Sequence, residues 1–100
     1  MEIIKKLEGK QLSIALIGEL NSITAPDFDQ VIRDSLKDVT SLVLDFTKLE
    51  YLSSAGLRVL LMAQKIMSAQ GDMVIKNANK QILDIFEMTG FANILNVERN

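Results

Sequence analysis

Tyr51-Leu52-Ser53-Ser54-Ala55-Gly56-Leu57-Arg58-Val59-Leu60-Leu61 is the stretch that decides the fold. Just before it, Ser41-Leu42-Val43-Leu44-Asp45-Phe46 is a short apolar run ended by polar residues, which predicts a buried strand. After it the apolar spacing turns helical, at Leu57, Leu60, Leu61 and Met67, and predicts one helix from Ser54 to about Gln70 with those leucines inward. Between strand and helix stand two adjacent hydroxyls. Either can cap the helix, because a serine oxygen accepts from the free N–H groups of the first turn. Ser53 is the better placed, leaving Ser54 to point outward. The same helix end favours negative charge, so it is also a place where a phosphate is tolerated. A plain Ser-Ser cap with no further role accounts for the same residues.

Working outward, the helix is expected to stop at a left-handed Gly71, followed by the strand Met73-Val74-Ile75. Asn77-Ala78-Asn79 breaks that strand, and Asn79 is placed to cap a last helix marked by Ile82, Leu83, Ile85 and Phe86 and closed by Gly90. Ile94-Leu95 is the candidate for an edge strand, and the last residues are expected to fray. Towards the N-terminus, Ile3–Leu7 and the alternating Gln11–Ile17 read as an antiparallel hairpin turned at Glu8-Gly9-Lys10. Gly18 to Ile23 reads as a loop carrying Asn21 and Ser22. Thr24 then reads as an N-cap with Pro26 in the first turn and Asp27 completing a capping box. Phe28, Val31, Ile32 and Leu36 carry that helix to about Asp38, with Asp27, Arg33, Asp34 and Lys37 on its solvated side.

The order β-β-α-β-α-β-α-(β) predicts an α/β domain spanning residues 1–100. A small mixed sheet, antiparallel at its first hairpin and parallel afterwards, is packed with about three to four helices. One hundred residues suit one core, and the 48% hydrophobic and 24% charged content is that of a globular protein. A net charge of −2 speaks against an electrostatic nucleic-acid binder. The chain has no cysteine and no histidine, which removes disulfides, thiolate chemistry, the usual triads and the commonest metal ligands. No cofactor, metal or catalytic residue is expected. Without a signal-peptide run or a membrane span, the expected setting is cytoplasmic, with no membrane insertion.

Asp45, near the end of a predicted parallel strand, is the remaining polar candidate. It can ligate a metal, or bond Ser53, Ser54 or nearby N–H groups and support the loop; the second reading is preferred. Met62, Met67, Met73 and Met88 read mainly as core filling rather than as a soft binding surface. A small enzyme or nucleotide-binding protein would need convergent polar groups, which the chain does not supply.

The chain also resembles a known family. Leu52-Ser53-Ser54-Ala55-Gly56-Leu57 resembles the signature loop of STAS domains, the fold of bacterial anti-sigma factor antagonists. Gly18-Glu19-Leu20-Asn21 with Thr24-Ala25-Pro26 is similar to the family's segment before its first helix. Leu42-Val43-Leu44-Asp45-Phe46 resembles its central strand, and Met88-Thr89-Gly90-Phe91 its late turn. The resemblance implies a phosphorylation-controlled protein-binding switch, not an enzyme. The unmodified domain binds an anti-sigma factor serine kinase and so releases a sigma factor. The kinase phosphorylates a loop serine, and a PP2C-type phosphatase resets it. It implies Ser54 as the acceptor, with Ser53 as the alternative, and a partner surface at Asn21, Ser22, Ser53, Ser54, Ala55, Gly56 and Arg58. The free domain is expected to be a monomer. Gly56, lacking Cβ, is expected to let the partner approach closely. Two departures stand out. Ala55 occupies one of the two usual acceptor positions and Ser53 the usual Asp position, while Asn21 replaces another usual Asp. The rival reading is a STAS subunit of a membrane lipid transporter, which needs a binding surface but no acceptor.

Overall fold

The computed structural model describes residues 1–98. Its elements are β1 (Glu2–Glu8), β2 (Gln11–Leu20), α1 (Ala25–Ser35), β3 (Ser41–Leu52), α2 (Ser54–Ser68), β4 (Asp72–Lys76), α3 (Lys80–Thr89) and a short 3-10 turn at Phe91–Asn93. The sheet has four strands in the order β1-β2-β3-β4. β1 and β2 pair antiparallel across a Gly9-Lys10 turn, and the other two pairings are parallel. This is the predicted mixed sheet.

Alternation fixes what each strand buries. Leu12, Ile14 and Leu16 of β2 and Leu42, Leu44 and Phe46 of β3 turn under the helices. Phe28 and Ile32 of α1, Leu60 and Met67 of α2, and Ile82 and Phe86 of α3 close over them, all with no exposed surface. Ser13, Ala15, Ile17, Val43 and Val74 face the other way and stay half-buried.

Both central strands are longer than the sequence suggests. β2 runs on through Gly18-Glu19-Leu20, predicted as loop, and β3 continues to Leu52, well past Phe46. The cause is irregular pairing. Ala15 pairs with Asp45 but Ile17 with Lys48, and Gly18 pairs with Leu49 but Glu19 with Tyr51. β3 thus carries an extra residue twice, and each bulge rotates the following side chain. Its buried positions accordingly change spacing from two residues to three, through Leu42, Leu44, Phe46, Leu49 and Leu52.

Other departures have local causes. α1 ends at Ser35, short of Asp38, which adopts φ 63°. α2 ends at Ser68, and Gly71 is not left-handed. A Cβ on Gly71 would lie 1.9 Å from the Thr40 carbonyl oxygen, which accepts from the Asp72 amide, so the glycine is needed for backbone approach. Leu61 is half-buried, and Val59 and Ala63 take the inward positions instead. Met67 and Met73 fill the core as expected, whereas Met88 is 86% exposed. Asn79 caps α3 as predicted, through the Ile82 amide. The edge pairing predicted at Ile94-Leu95 falls later. Val97 bridges Ile75, with the Ile75 amide donating to Asn96 and the Glu98 amide to Ile75. Asn96 to Glu98 are therefore pinned to β4, and the predicted fraying otherwise concerns residues 99–100, outside the described part.

Candidate functional site

The site is assembled where β2 and β3 deliver their ends to α1 and α2. The Ser53 amide donates to the Leu20 carbonyl at 2.9 Å, tying the two strand exits together. Ser53 is extended (φ −95°, ψ 173°), and its hydroxyl accepts from the Gly56 amide at 3.4 Å. It is the N-cap of α2. Ser54, the first residue of α2, is exposed, and its hydroxyl makes no hydrogen bond among the described residues. The two adjacent hydroxyls therefore differ in employment: one holds the helix, the other faces solvent.

Gly56 lies elsewhere than expected. It is buried, and a Cβ there would come within 2.7 Å of Leu20 Cγ and 2.7 Å of Leu52 Cδ1. It lets α2 settle on the strand ends and offers a partner no open backbone, so it leaves the predicted binding surface. Ala55 is half-buried against the core, and Arg58 is exposed one turn after Ser54.

The other wall of the site is the turn before α1. Asn21 Oδ1 accepts from the Ile23 amide at 2.9 Å and the Thr24 amide at 3.1 Å, and the Asn21 carbonyl accepts from Ala25. Thr24 makes no side-chain cap. Its hydroxyl instead donates to the Glu19 carbonyl and accepts from the Asn21 amide. The side-chain cap expected of Thr24 and Asp27 is not made; the Thr24 carbonyl accepts from the Asp27 and Phe28 amides, and Asn21 closes the turn that leads into the helix, an arrangement small polar residues favour in turns. Ser22 is exposed, and Ile23 stands 84% exposed at the tip. Apolarity alone gave no sign of that exposure, since Leu20 of the same predicted loop is fully buried. Between α1 and α2 runs a groove of about 640 Å³ whose walls include Ser22, Pro26, Asp29, Arg33, Ala55 and Arg58. The sequence offered no sign that Asp29 and Arg33 would join this edge.

Asp45 stands apart from the serines. One of its carboxylate oxygens accepts from the Thr47 amide, the Thr47 hydroxyl and the Asn77 side-chain amide. It braces the first β3 bulge and not the Ser53 loop. The Thr47 hydroxyl is the main influence holding its carboxyl below the usual carboxylate range; partial burial opposes this, while the Thr47 amide, Asn77 and Lys76 assist. Among the described residues no cluster of three or more His, Cys, Asp or Glu is arranged to hold a metal ion. No helix among them is long and apolar enough to cross a membrane.

A hairpin leading into parallel strands, with a capped serine loop at the head of the second long helix, defines a class. The chain belongs to the STAS domain family, whose model matches residues 2–100. It is similar to BtrV of Bordetella bronchiseptica, a protein named as an anti-sigma factor antagonist. The two are 35% identical over 94 residues, covering 92% of this chain and 80% of the relative. In structure it is similar to an anti-sigma factor antagonist from Mycobacterium paratuberculosis, with a TM-score of 0.89 at 19% identity, covering 99% of this chain and 86% of that one. It is also similar to the Bacillus cell fate determinant SpoIIAA in its phosphorylated form, with a TM-score of 0.76 at 17% identity over 99% and 93% of the two chains. At those identities the structural likenesses establish the fold.

Proposed function

We propose that this domain is an anti-sigma factor antagonist. It acts by binding an anti-sigma factor serine kinase in the cytoplasm, which frees a sigma factor, and it is switched off by phosphate on Ser54. The division of work between the two serines carries the reading. Ser53 is occupied by the Gly56 amide, and Ser54 is exposed, its hydroxyl without a hydrogen bond among the described residues. The 35% identity to BtrV supports the class of partner. In the transfer step the Ser54 oxygen bonds the γ-phosphorus of ATP held by the kinase. The bond from that phosphorus to ADP breaks, and the hydroxyl proton passes to a base on the kinase. The phosphoserine carries roughly −1.5 to −2 charges, which α2's first turn accommodates but an interface shaped for a neutral hydroxyl does not. A PP2C-type phosphatase restores the binding form.

Incubation with the kinase and ATP, followed by intact-mass measurement, tests this. One phosphate is expected on the wild-type chain and none on Ser54→Ala, which still binds. Phosphate retained by Ser54→Ala and lost by Ser53→Ala would reassign the acceptor. A second reading draws on Ala55 at a usual acceptor position: a transporter-associated STAS subunit that binds without modification. Tight binding with neither serine modified would select it.

A further inference from the structure

The α1–α2 groove mixes an apolar floor with an uneven set of charges. Its walls carry two guanidinium groups, Arg33 and Arg58, and one carboxylate, Asp29. Arg33 and Asp29 form an ion pair along one face of α1. Arg58 makes no ion pair or side-chain hydrogen bond among the described residues, and the first turn of α2 contains no acidic residue to receive it. The groove therefore holds one uncommitted positive charge, in a chain whose net charge is −2. Around it lie Ala55, Val59 and Met62, against which a partner's side chain can lose water. A guanidinium beside a partly dry surface suits a carboxylate, which it grips with two parallel hydrogen bonds.

Arg58 is also four residues after Ser54 on the same helix. Side chains at that spacing are neighbours, and a long arginine reaches back along the helix towards the preceding turn. The group that can take a partner's carboxylate is thus within reach of any charge placed on Ser54.

We propose that the α1–α2 groove seats an acidic side chain of the partner ATPase on Arg58, and that phosphate on Ser54 claims the same guanidinium. This rests on the switch reading above and deepens it. Phosphorylation then acts by withdrawal as well as by repulsion, because the modified chain neutralises its own free cation and the partner's carboxylate loses its counter-charge. Arg58 is a positioning and recognition residue and takes no part in phosphoryl transfer.

The test uses the full chain with serine or genetically installed phosphoserine at position 54, each with and without Arg58→Gln, titrated against the purified kinase. In the unmodified chain Arg58→Gln should weaken binding roughly tenfold and Arg58→Lys less, as for loss of a charge-assisted contact. Phosphoserine should weaken the Arg58 chain severalfold more than the Arg58→Gln chain, since with no arginine to capture only repulsion remains. Equal effects of phosphoserine in both backgrounds, or unchanged binding on Arg58→Gln, would overturn the proposal and leave the switch reading intact. Failure of the unmodified wild-type chain to bind the kinase would sink the switch reading and the groove's role together. A second measurement needs no partner. The phosphate's second pKa, followed by phosphorus NMR, should rise by roughly 0.2–0.4 unit on Arg58→Gln. No rise would show that the guanidinium and phosphate do not meet.

Discussion

Replacing Gly56 with alanine sets two opposed effects against each other inside the candidate site. Gly56 is the third residue of α2, and alanine there gains up to about 1 kcal/mol of helix propensity. Its Cβ, however, would lie 2.7 Å from Leu20 Cγ, 2.7 Å from Leu52 Cδ1 and 2.9 Å from Leu20 Cδ2. Leu52 can swing a terminal methyl aside, but Leu20 Cγ is a branch point on a side chain with no exposed surface. Overpacking of this kind costs roughly 1–3 kcal/mol. With two buried leucines pressed at once the upper half applies, so Gly56→Ala should destabilise the domain by about 1–2 kcal/mol net. Urea unfolding measures this directly. The decisive comparison repeats the substitution on a Leu20→Ala background. There the main obstacle is gone, Leu52 has room to turn, and Gly56→Ala should become neutral or stabilising. An equal cost in both backgrounds, or stabilisation in the wild-type chain, would refute the packing argument and return Gly56 to the role of a surface glycine.

Three further outcomes follow from the fold. Leu60→Ala, at a position with no exposure, should cost roughly 2–5 kcal/mol in the same unfolding assay. Asn21→Ala should cost about 0.5–2 kcal/mol by freeing the Ile23 and Thr24 amides, while Asn21→Asp, which keeps the accepting oxygen, should be nearly neutral; equal losses in both would remove the turn-closing role. Because the Asp45 carboxyl is held below its ordinary value of 3.8, its contribution is present above that pH and disappears as pH falls through the lowered folded-state value. Asp45→Asn should therefore flatten the acid limb of stability against pH below about 4, and an unchanged limb would contradict the Thr47 contact.

The regular parts of this fold could be read from residue spacing because each obeys one period. Gln11–Ile17 alternates, and Phe28, Ile32 and Leu36 repeat at helical intervals. The sequence pattern of β3 stops at Phe46 because its period changes where pairing slips, and Phe46, Leu49 and Leu52 match neither an alternating strand nor a sustained helix. A bulge depends on the neighbouring strand, so a single run of sequence does not announce it. The serine division was legible, since Ser53 immediately precedes the expected helix start at Ser54. Gly56, expected from its missing Cβ to admit a partner, packs instead on Leu20 of β2 as well as on Leu52. Asp45 finds one of the nearby N–H groups expected of it, at Thr47, but its other partner is Asn77 and not Ser53 or Ser54. Contacts between elements are not written in one run of sequence, and the groove is invisible for that reason, as Asp29 and Arg33 meet Arg58 only once α1 and α2 lie side by side.

The attachment of Asn96–Glu98 to β4 bears on how the sheet avoids uncontrolled growth. An open four-stranded sheet has two edges at which a foreign strand can be added, a route to aggregation. Along β1, the charged side chains of Glu2, Lys5, Lys6 and Glu8 line the exposed edge and must be desolvated before a foreign strand can dock there. Along β4, the Ile75 amide and carbonyl are already engaged by Asn96 and Glu98. A chain cut before Asn96 would keep its serine loop and its helices but present β4 as a bare template, and its solubility would suffer before its fold did.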